Sequence, residues 1–174
     1  MITGLGVVSP AGQTVPDFWS GLLRGRSAIK PITFFPAETF PARIAGWVPD
    51  CVFPSNGFDP GDPFYPDRRT QMAILAADQA VLDAGLDFAK ENPYRIGTYL
   101  GAGEDNCIDL DSLAEMTRRA YRSGEFCETE FLASALEVMN AAQAINSEAG
   151  SSTMHLARRF RVCGPTLNCL TACA

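Results

Sequence analysis

No uninterrupted apolar run in this chain approaches the roughly 20 residues that a bilayer-spanning helix requires, so a membrane span of that kind is excluded. The opening Met1-Ile2-Thr3-Gly4-Leu5-Gly6 has neither a basic start nor a long apolar stretch, so it does not read as a secretory signal. A cytoplasmic setting is the expectation that follows. Positive charge is in short supply. Against 20 Asp and Glu stand 14 Lys and Arg, a net charge of −6, which argues against a broad nucleic-acid surface. Neither a repeat of fixed period nor a low-complexity tract occurs.

Two further shortages bear on chemistry. The six cysteines (Cys51, Cys107, Cys127, Cys163, Cys169, Cys173) are irregularly spaced, and with no secretory signal they read as reduced thiols rather than three disulfides. Histidine occurs once, as His155. A zinc site from His155, Cys163, Cys169 and Cys173 has the right ligand types but lacks two closely spaced ligand pairs, so no metal is expected. Gly4-x-Gly6 lacks the third glycine of a dinucleotide loop, and close backbone packing explains the pair better. No cofactor is expected either.

What is present suits one soluble domain. Hydrophobic residues make up 47% and charged residues 20% of 174, enough for a real core. Ile2 to Val8 reads as a buried strand ended by the turn Ser9-Pro10-Ala11-Gly12. Thr14 with Asp17 resembles a capping box, opening a short amphipathic helix with Phe18, Trp19, Leu22 and Leu23 on its apolar face and Gly25 as its stop. From Ser27 to Pro66, eight prolines interleave with seven phenylalanines and tyrosines. Aromatics at that density pack onto something, so this is an excursion over the core, with a short edge strand near Arg43 to Val48. Asp67 caps a helix closed by Gly85, and Arg95 to Gly101 is a second buried strand. Strand, helix, strand in that order predicts a parallel crossover and an α/β class. Further helices are expected from Asp109 to Arg122, from Glu128 to Asn140, and from Ser151 or Ser152 to just before Gly164.

The last eleven residues organise the rest. Gly164-Pro165 breaks the preceding helix, because proline fixes its own φ and pushes its predecessor out of the helical region. Thr166 to Thr171 then alternates with the period of a strand, and the side chains shrink to Ala172-Cys173-Ala174. A cysteine flanked by alanines suits a strand-to-helix turn, where a following helix N-terminus would favour the thiolate at Cys173. On spacing alone, a small buried hydrophobe is the commoner role for such a cysteine.

Five stretches together resemble the beta-ketoacyl-acyl-carrier-protein synthases, the condensing enzymes of fatty-acid and polyketide synthesis. They are Ile2 to Pro10, Phe18 to Ile29, Asp67 to Leu86, Arg95 to Gly103, and Gly164 to Ala174. The resemblance implies a thiolase-like α/β fold with a mixed, mostly parallel sheet and helices on both faces. It implies that residues 1–174 are an incomplete first half of that fold, ending just after the nucleophile. It assigns Cys173 as the acyl-accepting nucleophile, with its own N–H in the oxyanion hole. Acyl and malonyl thioesters on acyl carrier protein would be the substrates, and a homodimer or related heterodimer the assembly. The family's two catalytic histidines, its lysine and its second oxyanion loop lie downstream of the nucleophile; His155 matches none of them and reads as a surface or packing residue. Residues 1–174 alone would therefore be inert and poorly soluble. Where the family continues with small residues after Gly103, this chain has Glu104-Asp105-Asn106.

An acidic carrier protein needs a local basic patch on an acidic enzyme. Arg68 and Arg69, which resemble a docking position of the family, and Arg118, Arg119 and Arg122 are the candidates, although solvated helix faces would look the same. Two other readings remain: a non-catalytic partner resembling a chain-length factor, which the retained Cys173 disfavours, and a thiolase-fold acyltransferase using coenzyme A.

Overall fold

The computed structural model describes residues 1–48, 62, 64–102, 110–122, 124–139, 141–146, 148 and 150–170. It divides the chain into two compact units: Met1–Pro54 with Arg68–Glu91, and Ser55–Asp67 with Asn92–Ala174. The sequence pattern gives no sign of this division.

In the first unit the amino-terminal segment lies against α2 (Arg68–Ala84). A Cβ at Gly4 would collide with the Ala80 carbonyl and Ala84, and one at Gly6 with the Ala76 carbonyl. The two glycines thus seat the segment on a ridge of alanines spaced one helical turn apart, the close approach that absent side chains permit. The strand expected over Ile2 to Val8 is not found. A strand needs a partner, and here α2 side chains take the backbone groups instead: Leu5 N donates to Asp83 Oδ2 (2.9 Å) and Val7 N to Gln79 Oε1 (3.3 Å), while Gln79 Nε2 donates to the Gln13 carbonyl (2.8 Å).

The turn after it forms as expected, with Ser9 N donating to the Gly12 carbonyl at 2.9 Å. Helix α1 (Val15–Leu23) starts at Thr14, whose hydroxyl accepts from Asp17 N and donates to Asp17 Oδ2 at 2.8 Å. Gly25, at φ +61, ends it in the left-handed region. Its expected apolar face is not its buried one. Trp19, Leu22 and Leu23 are exposed, and Gly21 is the buried residue of the helix. Strands β1 (Ile29–Pro31) and β2 (Ile44–Gly46) pair antiparallel, Ile29 opposite Gly46. Phe34, Phe35, Phe40 and Trp47 cluster beside them, with Phe34 stacked on Trp47 at 4.1 Å between ring centres. Along α2, Thr70 and Ile74 are buried, whereas Leu82 is 84% exposed. Gly85 closes the helix at φ +61.

The second unit is built on β3 (Thr98–Ala102) and β6 (Thr166–Leu170), a parallel pair with Thr98 opposite Thr166 and Ala102 opposite Leu170. Parallel strands require a long crossover. Here it runs through α3 (Leu110–Ala120), the hairpin β4 (Tyr121–Arg122) and β5 (Glu125–Phe126), α4 (Glu128–Val138), α5 (Ala141–Asn146) and α6 (Ser151–Phe160). Gly124, at φ +86, makes the hairpin turn. Ser134 of α4 is buried against α3, its hydroxyl donating to the Phe131 carbonyl at 2.8 Å, and Met116 and Ala120 are the buried apolar residues of α3. On α4, Leu132 and Leu136 are exposed, at 65% and 89%. Helix α6 packs on both strands of the parallel pair. No described helix is long and apolar enough to cross a membrane.

Candidate functional site

Two glycines hold the approach to the candidate nucleophile. Gly164 lies so close to the Ile96 carbonyl, and Gly97 to the Pro165 carbonyl, that a Cβ at either would overlap backbone. Three hydrogen bonds use that proximity: Cys163 N donates to the Pro93 carbonyl (2.9 Å), Gly164 N to that of Ile96 (3.0 Å), and Thr98 N to that of Pro165 (2.9 Å). The register of β6 on β3 is set here, before either strand begins. Both strands then run the same way for five residues, to Ala102 and Leu170. Beyond the carboxyl ends of such strands is where α/β folds bind their ligands. Cys173 follows Leu170 by three residues and lies outside the described residues, as do Glu104, Asp105 and Asn106. Of the other cysteines, Cys163 and Cys169 are exposed free thiols and Cys127 is half-buried.

His155 resolves as a packing residue. It is fully buried on α6, its Nε2 3.2 Å from Asn146 Oδ1, and Asn146 Nδ2 donates to the Tyr65 carbonyl at 2.9 Å. Burial pushes the imidazole below its usual pKa, outweighing the opposing pull of Asp67, so the ring is neutral at pH 7. The histidine ties α5, α6 and the Tyr65 segment together.

The basic candidates divide. Arg68 is exposed at the start of α2; its Nη2 donates to the Val48 carbonyl at 2.6 Å, and its guanidinium carbon lies 4.6 Å from the centre of the Trp47 ring. Arg69 has Nε and Nη1 shielded from solvent, so those atoms do not face an incoming partner. Arg118 and Arg119 both close on Glu115, at 2.8 and 2.7 Å, and Arg119 also reaches Glu137 on α4 at 2.9 Å. Arg122 pairs with Glu130 at 3.2 Å. Hydrogen bonds from Arg118 and Arg119 lower the Glu115 pKa to about 2. These three arginines line a groove of about 440 Å³ together with Tyr121, Ala133 and Ser134. The carboxylate clamps were open to sequence reasoning, since Glu115 stands three and four residues before its arginines. Trp47 was not; only the fold brings it to Arg68.

The beta-ketoacyl synthase N-terminal domain model matches residues 1–174. A 3-oxoacyl-[acyl-carrier-protein] synthase 2 of Coxiella burnetii is 44% identical over 103 residues, covering 59% of this chain and 25% of the relative. The tetracenomycin polyketide synthase ketoacyl synthase alpha subunit of Streptomyces glaucescens is 39% identical over 111 residues, 64% of this chain and 26% of the relative. Aligned with the solved ishigamide ketosynthase/chain length factor, the chain superposes with a TM-score of 0.66 at 29% identity, over 99% of its own length and 40% of the other. The chain thus matches about a quarter of the length of its curated relatives, and its fold is the thiolase-like α/β fold of the ketosynthases. By its match over residues 1–174, the chain belongs to the beta-ketoacyl synthase family, in the N-terminal domain.

Proposed function

We propose that this chain supplies the nucleophile half of a condensing enzyme that lengthens carrier-bound acyl groups. The supporting observation is the parallel β3–β6 register, whose carboxyl end at Leu170 comes three residues before Cys173 in the sequence. In the proposed reaction the Cys173 thiolate attacks the carbonyl of an acyl thioester on acyl carrier protein. The resulting oxyanion is held in part by the Cys173 N–H, and its collapse expels the carrier thiolate. Malonyl carrier protein then loses carbon dioxide, and the carbanion attacks the acyl-cysteine carbonyl. A carbon–carbon bond forms, the carbon–sulfur bond breaks, and the thiolate returns. Groups that promote the decarboxylation belong to the family's downstream half, so activity is a property of the complete protein. Acidic carrier proteins dock, in this reading, at the start of α2, where Arg68 and Arg69 stand.

The ishigamide ketosynthase/chain length factor favours a second reading, in which the chain is the non-catalytic partner of a heterodimer. The retained Cys173 speaks against it. Full-length protein given acyl and malonyl carrier proteins should release carbon dioxide and a carrier-bound β-ketoacyl product two carbons longer. Absence of both products from a folded protein, with restoration on adding a separate ketosynthase, would establish the partner reading instead.

A further inference from the structure

Arg68 is a long side chain at an exposed position, where its rotamers would ordinarily be free and docking would have to freeze them. Here it is not left to wander. Its guanidinium carbon lies 4.6 Å from the centre of the Trp47 ring, well within cation–π range, and its Nη2 donates to the carbonyl of Val48, the next residue along. Trp47 is itself fixed. It follows β2 directly, and Phe34 stacks on it at 4.1 Å with the two planes 25° apart. Phe34 in turn meets Phe35 edge-on at 5.0 Å, and Phe35 meets Phe40 at 5.4 Å. The aromatic residues of the proline-rich excursion thus form a backing that ends on a cation.

We infer that Trp47 is a positioning residue for carrier-protein docking: its indole face, backed by Phe34, holds the Arg68 guanidinium in the orientation that an acidic partner meets. This rests on the docking role proposed for Arg68 and deepens it. The indole face and the carbonyl both restrict the arginine's rotamers. Trp47 is about half exposed, as are Phe34 and Phe40 beside it. The β1–β2 pairing, which places Trp47, becomes part of the recognition surface.

The test measures the affinity of the full-length protein for an acyl carrier protein at two salt concentrations, in a double-mutant cycle. Arg68→Ala should weaken binding about tenfold at low salt and flatten the salt dependence. Trp47→Leu, which keeps apolar bulk without a π face, should weaken binding about two- to fivefold, the range of an exposed cation–π contact. Trp47→Phe should recover most of that loss. In the Arg68→Ala background, Trp47→Leu should change nothing further, because the tryptophan acts through the arginine. If the two losses simply add, or if Trp47→Phe is as weak as Trp47→Leu, the positioning role is overturned while docking at Arg68 stands. If Arg68→Ala binds as well as wild type, the docking reading falls and the positioning role falls with it. Equal melting temperatures for Trp47→Leu and Trp47→Phe separate these outcomes from a loss of fold.

Discussion

The protein orders its exposed arginines in two different ways. Arg118, Arg119 and Arg122, on α3 and β4, are held by Glu115, Glu137 and Glu130, so their charge is offset by neighbours of the same unit. Arg68 is held by the face of an indole and by a carbonyl oxygen. The first arrangement staples α3 to α4 and offers a partner a mixed field of both signs. The second sets a cation against an aromatic face. Local basicity in a sequence is therefore a poor guide to docking: what holds the guanidinium decides whether it can serve an acidic partner.

The comparison can be broken most readily at Arg68. Reversing it (Arg68→Glu) should lower affinity for acyl carrier protein by at least about tenfold at low salt, since a like charge then faces the partner. Glu115→Gln should act in the opposite direction and more weakly, raising affinity about two- to threefold by releasing Arg118 and Arg119 to the partner. Arg118→Ala should have the smallest effect, less than about twofold, because the charge it removes is already offset. An Arg118→Ala loss as large as that of Arg68→Glu would erase the distinction.

Acid sharpens it. The Glu115 carboxyl is held down to about 2 by its two arginines, so the clamp stays charged through neutral and mildly acidic conditions. Its contribution to stability is complete above the ordinary value of 4.5 and is lost as pH falls toward 2. His155 acts earlier. Its folded pKa lies below the ordinary 6.5, so the unfolded chain takes up the proton first and stability declines as pH drops below 6.5. Thermal melts across pH should show an early decline that disappears in His155→Gln and a later one that shrinks in Glu115→Gln. Carrier binding at Arg68 should be insensitive to the first of these steps wherever the protein remains folded.

Much of the helical framework was legible in the sequence because its signals are local. Thr14 caps α1 through its own hydroxyl, and Gly25 and Gly85 each adopt the positive φ that their positions as helix stops imply. Strands were less legible because they depend on partners far along the chain. Ile2 to Val8 has the composition of a strand, yet its described hydrogen bonds go to α2 side chains. The strand expected from Arg95 starts only at Thr98, because Pro93 to Arg95 forms a 3-10 turn capped by Asn92. Leu132 and Leu136 have helical spacing yet are exposed, because spacing cannot say whether anything lies opposite. At the site, the strand that leads toward Cys173 was legible from the alternation after the breaker at Gly164-Pro165, while Cys173 itself lies outside the described residues. The partnership of Arg68 with Trp47, 21 residues earlier, depends on a β-hairpin and could not be read from neighbours in the chain.

The proposed chemistry turns on a single thioester. Full-length protein incubated with an acyl-carrier thioester, without malonyl carrier protein, should gain the mass of one acyl group. Peptide mapping should place it on Cys173, and Cys173→Ala should abolish it. Acylation mapped to Cys163 or Cys169, or a folded protein that gains no mass at all, would contradict the assignment.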